Sequence, residues 1–249
     1  MFEIETNNLT KQFGRLVAVN NLNLEIPRGT IFGFLGPNGS GKSTTVKMLT
    51  GLLQPTAGEA FIAGESIFSS PLPVKQMIGV LPEDLALFDS LTIWEHLLLS
   101  GPIYGLTKSE TASRGEQLLK YLDLWQSRKT FVDEASAGMR KKCGLAMALL
   151  HNPRVLFLDE PFEGIDPVSS RNIKDLLQLM ASKGATIFLT SHILEVVERL
   201  VQSFAIIVAG EIVCSQTVAE TLRSGDTLEE LFFKHVVRYK AEDLEWIGR

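Results

Sequence analysis

Apolar residues in the first third of the chain come in short runs separated by glycine, proline and polar residues. Such runs are typical of β-strands, and the spacing after the third run changes to that of a helix. The predicted elements are strands over 2–6, 17–26, Ile31–Leu35 and 59–63 and a helix over 43–53. The segment 54–58, which contains proline and glycine, is expected to end that helix.

The middle of the chain changes to the three-to-four-residue apolar spacing of amphipathic helices. After it, short strand-like runs alternate with helical segments, which is the pattern of an α/β fold with a mostly parallel sheet. The middle helices are predicted over 93–104, 110–122 and 137–150, the later strands over Val155–Leu158, 186–189 and 204–208, and the later helices over 168–181 and 193–201. The pattern therefore predicts an α/β core that a helical insert interrupts.

A glycine-rich loop lies between the strand at Ile31–Leu35 and the helix that follows. It reads Gly36, Pro37, Asn38, Gly39, Ser40, Gly41, Lys42, Ser43 and Thr44, a complete G-x-x-x-x-G-K-[ST] phosphate-binding loop. Glycines let successive backbone N–H groups turn inward around phosphates, and the following helix presents its positive N-terminal end. Lys42 is expected to reach the β- and γ-phosphate oxygens, and Ser43 to offer its hydroxyl to Mg²⁺. The sequence thus predicts a nucleoside triphosphate site.

Two acids come directly after the apolar strand Val155–Leu158. In a phosphate-loop enzyme, acids at the end of such a strand complete the metal site and activate water. Asp159 is expected to hold Mg²⁺ through water, and Glu160 to act as the general base. A core strand capped by exposed acids is the alternative for this segment alone, and the phosphate loop upstream argues against it.

Bulk composition narrows the function classes. The chain has 249 residues, 45% hydrophobic residues and a net charge of −5, so a substantial core is expected and disorder is not. The basic residues form no block beyond the run 140–142, and no nucleic-acid partner is expected. Apolar runs such as 204–209 fall well short of the ~18 residues of a membrane helix, and the first residues lack a signal-peptide pattern. A cytoplasmic location is expected.

Three further motifs occur in the order known from ATP-binding-cassette (ABC) transporters. Residues 136–140 read S-A-G-M-R where that family has its S-G-G-Q-type signature, and residues 163–166 read E-G-I-D like its subunit-linking loop. Ser191 and His192 match its switch histidine. Over about 2–235 the chain resembles the ATP-binding subunit of an exporter-type ABC transporter. The resemblance implies the ABC ATPase fold, a P-loop NTPase core with an N-terminal antiparallel β subdomain and a helical insert.

The same resemblance implies one ABC ATPase domain over 1–235. Its core is expected at about 1–88 and 152–220, with the helical subdomain at about 89–151 and a C-terminal tail at 236–249. The segment 228–232 is similar to exporter subunits. The tail has no assigned role.

Members of this family hydrolyse Mg-ATP to drive a separate integral membrane permease, and they lie on the cytoplasmic face of the membrane through that permease. Two chains, identical or homologous, pack head to tail, so that the signature of one closes on ATP held by the other. By resemblance, Ser136 and Gly138 bind the partner's ATP, and Asp166 lies in the linking loop. His192 senses the γ-phosphate and positions the water, and Phe13 stacks on adenine.

Two positions depart from the family pattern. Glu83 follows the strand at 78–82 where glutamine is usual, although a carboxylate oxygen can still bind Mg²⁺ or orient water. In the signature, Ala137 replaces a usual glycine and Met139 a usual glutamine. The added methyl group lies where backbone approaches phosphate and could weaken closure, but Ser136 and Gly138 remain, so hydrolysis is expected to be retained but slow.

Three other functions stay open on the sequence. A soluble ABC ATPase acting on nucleic acid or ribosomes commonly has two cassettes or long basic insertions. Residues 1–249 contain neither feature. A GTPase or small-molecule kinase is disfavoured because the guanine motif N/T-K-x-D is missing. A weakly active regulatory ABC subunit would follow from Ala137 and Glu83.

Overall fold

The structure is a computed structural model that describes residues 2–236. These residues form two β-sheets and helices on both sides of the larger one. The strands are β1 (Phe2–Phe13), β2 (Leu16–Pro27), β3 (Ile31–Leu35), β4 (Ala57–Ile62), β5 (Glu65–Ser66), β6 (Ile78–Leu81), β7 (Val155–Leu158), β8 (Thr186–Ser191), β9 (Ser203–Val208) and β10 (Glu211–Thr217). The helices are α1 (Lys42–Leu49), α2 (Pro71–Met77), α3 (Ile93–Ile103), α4 (Lys108–Tyr121), α5 (Ala137–Leu149), α6 (Pro167–Ser182), α7 (Leu194–Glu198), α8 (Val218–Ser224) and α9 (Leu228–His235).

The antiparallel sheet has the strand order β2-β1-β4-β5. Its long β1–β2 hairpin pairs Ile4 with Ile26, and both side chains are fully buried. Inside the hairpin, the buried Thr6 hydroxyl donates to Leu22 O at 2.9 Å and accepts from Leu24 N at 2.8 Å. The hairpin is therefore tied together by a side chain as well as by its backbone ladder, although its far end is exposed.

The central sheet has the order β10-β9-β3-β8-β7-β6, and β10 is its antiparallel edge. Successive residues of β7 and β8 enter opposite faces, and both faces are buried. Phe157 and Phe188 lie on the face toward the antiparallel sheet and α1, with ring centroids 5.6 Å apart. Leu156 and Leu189 lie on the other face, in a core shared with helices α3, α5 and α6. The sheet thus separates two hydrophobic cores.

The carboxyl ends of four parallel strands meet at one edge of the central sheet. Leu35 of β3 is in register with Ser191 of β8, and Leu158 of β7 is in register with Leu189 and with Leu81 of β6. Loops that follow parallel strands at this edge are where α/β proteins bind ligands. The chain therefore brings the ends of β3, β6, β7 and β8 together for a site.

The sequence pattern predicted the central elements, and the bounds differ at several ends. Helix α1 stops at Leu49 rather than 53, because the Thr50 hydroxyl bonds back to Val46 O at 2.8 Å and Gly51 has a left-handed φ of 69°. Helix α7 is also shorter than predicted. Elements β5, α2, β10, α8 and α9 were not predicted, and β1 runs seven residues further than expected.

Helices α3, α4 and α5 lie within 89–151, where the helical subdomain was expected. Across residues 2–236, none of the helices has the length and apolarity needed to cross a bilayer. The expected C-terminal tail falls, from residue 237 onward, outside the described residues.

Candidate nucleotide site

Two glycines of the phosphate loop, Gly36 and Gly41, have no room for a side chain. A Cβ on Gly36 would lie 2.3 Å from Ile207 O, and one on Gly41, whose φ is 110°, would lie 2.5 Å from Ala18 O. The loop is also anchored outside itself, since Gly210 N donates to Ser40 O at 2.9 Å. Backbone from β2 and from the β9–β10 turn therefore fixes the loop.

Lys42 begins helix α1 and folds its side chain back over this loop. Its Nζ donates to Gly36 O at 2.8 Å and to Pro37 O at 3.3 Å, and the residue is 7% exposed. Both acceptors belong to the loop, so the positive charge is held against the loop backbone.

Asp159 and Glu160 are held in place by one hydroxyl. Thr190, at the end of β8, donates from Oγ1 to Asp159 Oδ1 and accepts from Glu160 N at 3.0 Å. All three residues are buried. Asp159 is fixed further, since its N–H donates to Leu81 O at 2.8 Å. The two acids are thus oriented by the strands on either side of β7.

Glu160 and His192 meet across the carboxyl ends of β7 and β8. His192 Nδ1 lies 3.0 Å from Glu160 Oε2, and the His192 backbone N–H donates to the same oxygen at 3.3 Å. Glu160 is buried, whereas half of the His192 side chain is exposed. A carboxylate held at one end and an accessible imidazole can together orient a water molecule.

The expected magnesium ligands lie at the mouth of the loop. The Ser43 hydroxyl donates to Glu83 Oε2 at 3.3 Å, which brings two oxygen ligands together. Within residues 2–236, no group of three or more His, Cys, Asp or Glu side chains could hold a metal by itself. Mg²⁺ is usually bound by one or two carboxylates, waters and the oxygens of the substrate phosphates, and hydroxyl and carboxylate oxygens such as those of Ser43 and Glu83 are of the type it takes.

One cavity of about 990 Å³ joins these parts, and we call it the phosphate cavity. Its lining includes Phe13 and Val17 of the β1–β2 hairpin, Glu160 and His192, and Phe232 of α9. The other predicted residues that line it are Gly36, Pro37, Asn38, Gly39, Gly41, Lys42, Ser43, Thr44 and Glu83. Phe13 is 47% exposed, with Lys11 Nζ 5.1 Å from its ring centroid. Ser40 and Asp159 are buried behind this lining.

The signature segment lies apart from that lining. Ser136 caps helix α5 by accepting from Met139 N at 3.2 Å, and a Cβ on Gly138 would lie 3.1 Å from Gly164 O. Asp166 caps helix α6, and hydrogen bonds from Ser169 lower the pKa of its carboxyl group. The phosphate cavity, as residues 2–236 form it, is not lined by Ser136, Gly138 or Asp166.

A second cavity of about 590 Å³ lies beside the signature segment. Ala137 and Arg140 line it together with Gly164 of the linking loop, and Glu83 and Glu163 line both cavities. The structure therefore brings the phosphate loop, the acids and His192 into one place and the signature into another, and Glu163 of the linking loop lines both cavities.

Sequence reasoning missed three residues with close contacts to this site. Thr190 holds both acids, Lys141 donates from Nζ to Glu160 O at 2.7 Å, and Phe232 lines the phosphate cavity. Thr190 could have been noted from its place directly before Ser191 and His192. The sequence carries no signal for the contacts of Lys141 and Phe232, because these contacts depend on how α5 and α9 pack.

Comparison with known proteins identifies the family. The ABC transporter family profile matches residues 19–163. The linearmycin resistance ATP-binding protein LnrL of Bacillus subtilis (strain 168) is 35% identical over 230 residues, which cover 92% of this chain and 74% of that protein. The bacitracin transport ATP-binding protein BcrA of Bacillus licheniformis is 36% identical over 244 residues, covering 98% of this chain and 74% of that protein.

A solved structure of an ATP binding subunit of an ABC transporter superposes with a TM-score of 0.88 at 30% identity, covering 94% of this chain and 99% of that chain. The predicted fold class, an α/β core with an antiparallel β subdomain and a helical insert, is confirmed. The family profile spans more than half of the residues, and two relatives are at least 35% identical over most of the chain. The chain therefore belongs to the ABC transporter family, as an ATP-binding and ATP-hydrolysing subunit.

Proposed function

We propose that this chain hydrolyses Mg-ATP to drive export through a separate integral membrane permease. One observation carries the enzymatic part of the proposal. The Glu160 carboxylate and the His192 imidazole are 3.0 Å apart and line the same cavity as Lys42 and the phosphate loop. A base, an imidazole and an anion cradle in one cavity are what phosphoryl transfer to water requires.

In this mechanism the loop N–H groups and Lys42 bind the β- and γ-phosphates. Glu160 accepts a proton from the attacking water as the water oxygen bonds to the γ-phosphorus, while the bond from that phosphorus to the β–γ bridging oxygen breaks and ADP leaves with the electron pair. His192, held against Glu160 Oε2, keeps that water in line and contacts a γ-phosphate oxygen through its exposed edge. Mg²⁺, held by Ser43, by Glu83 and through water by Asp159, would supply charge neutralisation at the phosphates.

The second part of the proposal is a head-to-tail dimer of two copies. Ser136 and Ala137 are exposed at the N-terminus of the thirteen-residue helix α5, away from the chain's own phosphate cavity. Helix N-termini favour anions, and a serine hydroxyl can donate to a phosphate oxygen. Because the chain carries both the phosphate loop and the signature, two copies supply two complete sites. Asp166 belongs to the linking loop, which would lie between the two ATP sites of this dimer.

The permease partner and the direction of transport are supported by relatives. LnrL is named for linearmycin resistance and BcrA for bacitracin transport, and both are ATP-binding proteins. We infer that this chain lies on the cytoplasmic face of the membrane through its permease. Residues 87–92 and the helical insert would form the docking groove, in which Phe88 is 59% exposed.

Steady-state ATP hydrolysis by two variants tests the enzymatic proposal. Lys42→Ala is expected to lose ATP binding and hydrolysis, and Glu160→Gln to lose hydrolysis while still binding ATP. Lys75→Met, which removes an exposed lysine of α2, is the control and is expected to hydrolyse ATP normally. Unchanged turnover in both site variants would overturn the site assignment.

Affinity capture from detergent-solubilised membranes tests the permease. The tagged chain is expected to bring down a stoichiometric protein with several membrane spans, identified by mass spectrometry. Recovery with ribosomal or other soluble proteins alone would favour a soluble ABC ATPase instead.

A further inference from the structure

Lys141 is a buried cation that the mechanism above does not use. It lies in helix α5, is 9% exposed and donates from Nζ to Glu160 O at 2.7 Å. Removing a lysine ammonium from water is costly unless it finds a partner. Here the partner is the backbone carbonyl of the residue that we propose as general base.

The backbone of Glu160 needs such a partner. Its φ is 49°, in the left-handed region that residues with a Cβ rarely adopt. A conformation of this kind persists only when its surroundings fix it. On one side Glu160 N donates to the Thr190 hydroxyl at 3.0 Å, and on the other Glu160 O accepts from Lys141 and, at 3.4 Å, from Glu163 N. Of the two hydrogen bonds that Glu160 O accepts, the one from the Lys141 ammonium is shorter and comes from a charged donor.

Lys141 also shares a helix with the signature. Ser136 caps α5, and Lys141 follows five residues later, a rise of about 7.5 Å along the helix. A displacement of the α5 N-terminus would therefore reach the Glu160 carbonyl through one side chain. Lys141 in addition lines the second cavity, next to Glu163.

The adjacent lysine makes a different contact. Lys142, buried to a similar degree, donates from Nζ to the Ser169 hydroxyl of α6 at 3.3 Å. The two neighbouring lysines thus hold two different elements, and Lys141 is the one that contacts the acid pair.

We propose that Lys141 is a positioning residue for hydrolysis. Its ammonium holds the Glu160 peptide in the left-handed conformation that directs the carboxylate toward His192 and the phosphates. Lys141 and the signature lie on the same helix, α5. When the signature of one chain contacts the ATP held by its partner, the alignment of Glu160 in the first chain therefore responds. The inference rests on the proposed function, specifically on Glu160 as general base.

The test compares Lys141→Met, Lys141→Arg and Lys141→Gln in the full chain. Lys141→Met is expected to lower kcat at least tenfold, while KM and the Kd for a non-hydrolysable ATP analogue change less than twofold. Lys141→Arg, which keeps the charge, is expected to recover at least a third of the wild-type kcat. The kcat of Lys141→Gln, which keeps a neutral N–H donor, is expected to lie between those of the other two variants. Lys141→Gln replaces Lys141→Met in the test if the methionine variant does not fold. Lys75→Met is the control for loss of one positive charge.

A second comparison separates this inference from the proposed function. In a Glu160→Gln background, Lys141→Met is expected to lower the remaining single-turnover hydrolysis less than twofold, because the residue acts through Glu160. A further tenfold loss in that background, or a kcat within twofold of wild type for Lys141→Met alone, would overturn the inference. If Glu160→Gln itself leaves turnover unchanged, the proposed function fails first.

Discussion

The phosphate loop and the signature segment each precede a helix, α1 and α5, yet the chain surrounds them differently. Around the loop, Gly36 and Gly41 are pressed against backbone of β9 and β2, and Lys42 bonds to carbonyls of the loop. At the signature, the Ser136 hydroxyl accepts from Met139 N within its own helix cap, and Ser136 lies exposed. The loop is enclosed by its own chain, whereas the signature presents the N-terminal end of α5 outward.

This difference explains why one chain would be an incomplete enzyme. The acids, Lys42 and His192 all line or support the phosphate cavity, whereas Ser136 belongs to the surface beside the second cavity. In the proposed head-to-tail dimer, signature residues contribute to hydrolysis where the second molecule brings them to ATP. The following changes weaken one region or the other, beginning with the largest expected effect.

Gly36→Ala is expected to weaken ATP binding about 100-fold, roughly 2.7 kcal/mol, because a Cβ there would lie 2.3 Å from Ile207 O and displace the loop. Calorimetric titration with a non-hydrolysable analogue measures the loss. Gly105→Ala is the control for general strain: its φ of 78° disfavours alanine, although a Cβ there meets nothing within 4 Å, and it lies after α3, away from the site. It should lower the melting temperature and leave the Kd unchanged. An unchanged Kd for Gly36→Ala would mean that the loop tolerates movement.

Thr190→Val removes the hydroxyl that holds Asp159 and Glu160, with little change of volume. We expect kcat to fall about 30-fold, roughly 2 kcal/mol, with a smaller change in ATP affinity. Thr186→Val at the other end of β8 is the control: it is equally buried, and its hydroxyl accepts from Gly29 N at 2.9 Å. Thr186→Val should lower the melting temperature and leave kcat unchanged. Equal kcat losses in both variants would indicate a general effect on the strand.

Phe13→Ala is expected to weaken ATP binding about fivefold, roughly 1 kcal/mol, if the exposed ring stacks on adenine. Inorganic triphosphate, which lacks a base, should bind equally well to both proteins. Phe13→Tyr should retain the wild-type affinity for ATP. Equal losses for ATP and triphosphate would place the effect of Phe13 on the loop rather than on the base.

Ala137→Gly addresses the signature side and has the smallest expected effect. Removing the methyl group from the exposed second residue of the signature should let the helix end approach phosphate more closely and raise kcat about two- to threefold. ATP affinity of the isolated chain should not change, because Ala137 lies outside the phosphate cavity. A lower kcat would show that the alanine is adapted to this signature.

The sequence predicted the parts of the site whose chemistry lies in local spacing. The loop glycines, the acids after β7 and His192 after β8 follow strands that their apolar runs reveal. The contacts of Thr190 and Lys141 with Glu160 join residues 30 and 19 positions apart and depend on strand order and helix packing. Among the missed elements, α8 carries a readable signal, the capping box of Thr217 and Glu220, whereas β10 has only short alternation and an exposed face.

The most direct test of the two-region account is complementation between variants. Chains carrying Lys42→Ala and chains carrying Ser136→Arg are co-expressed with different tags, and complexes that carry both tags are purified. Each variant alone should hydrolyse almost no ATP, whereas the mixed complex pairs one intact phosphate loop with one intact signature and should regain up to about half of wild-type turnover. A mixed complex as inactive as either parent, or full activity of Ser136→Arg alone, would contradict the account.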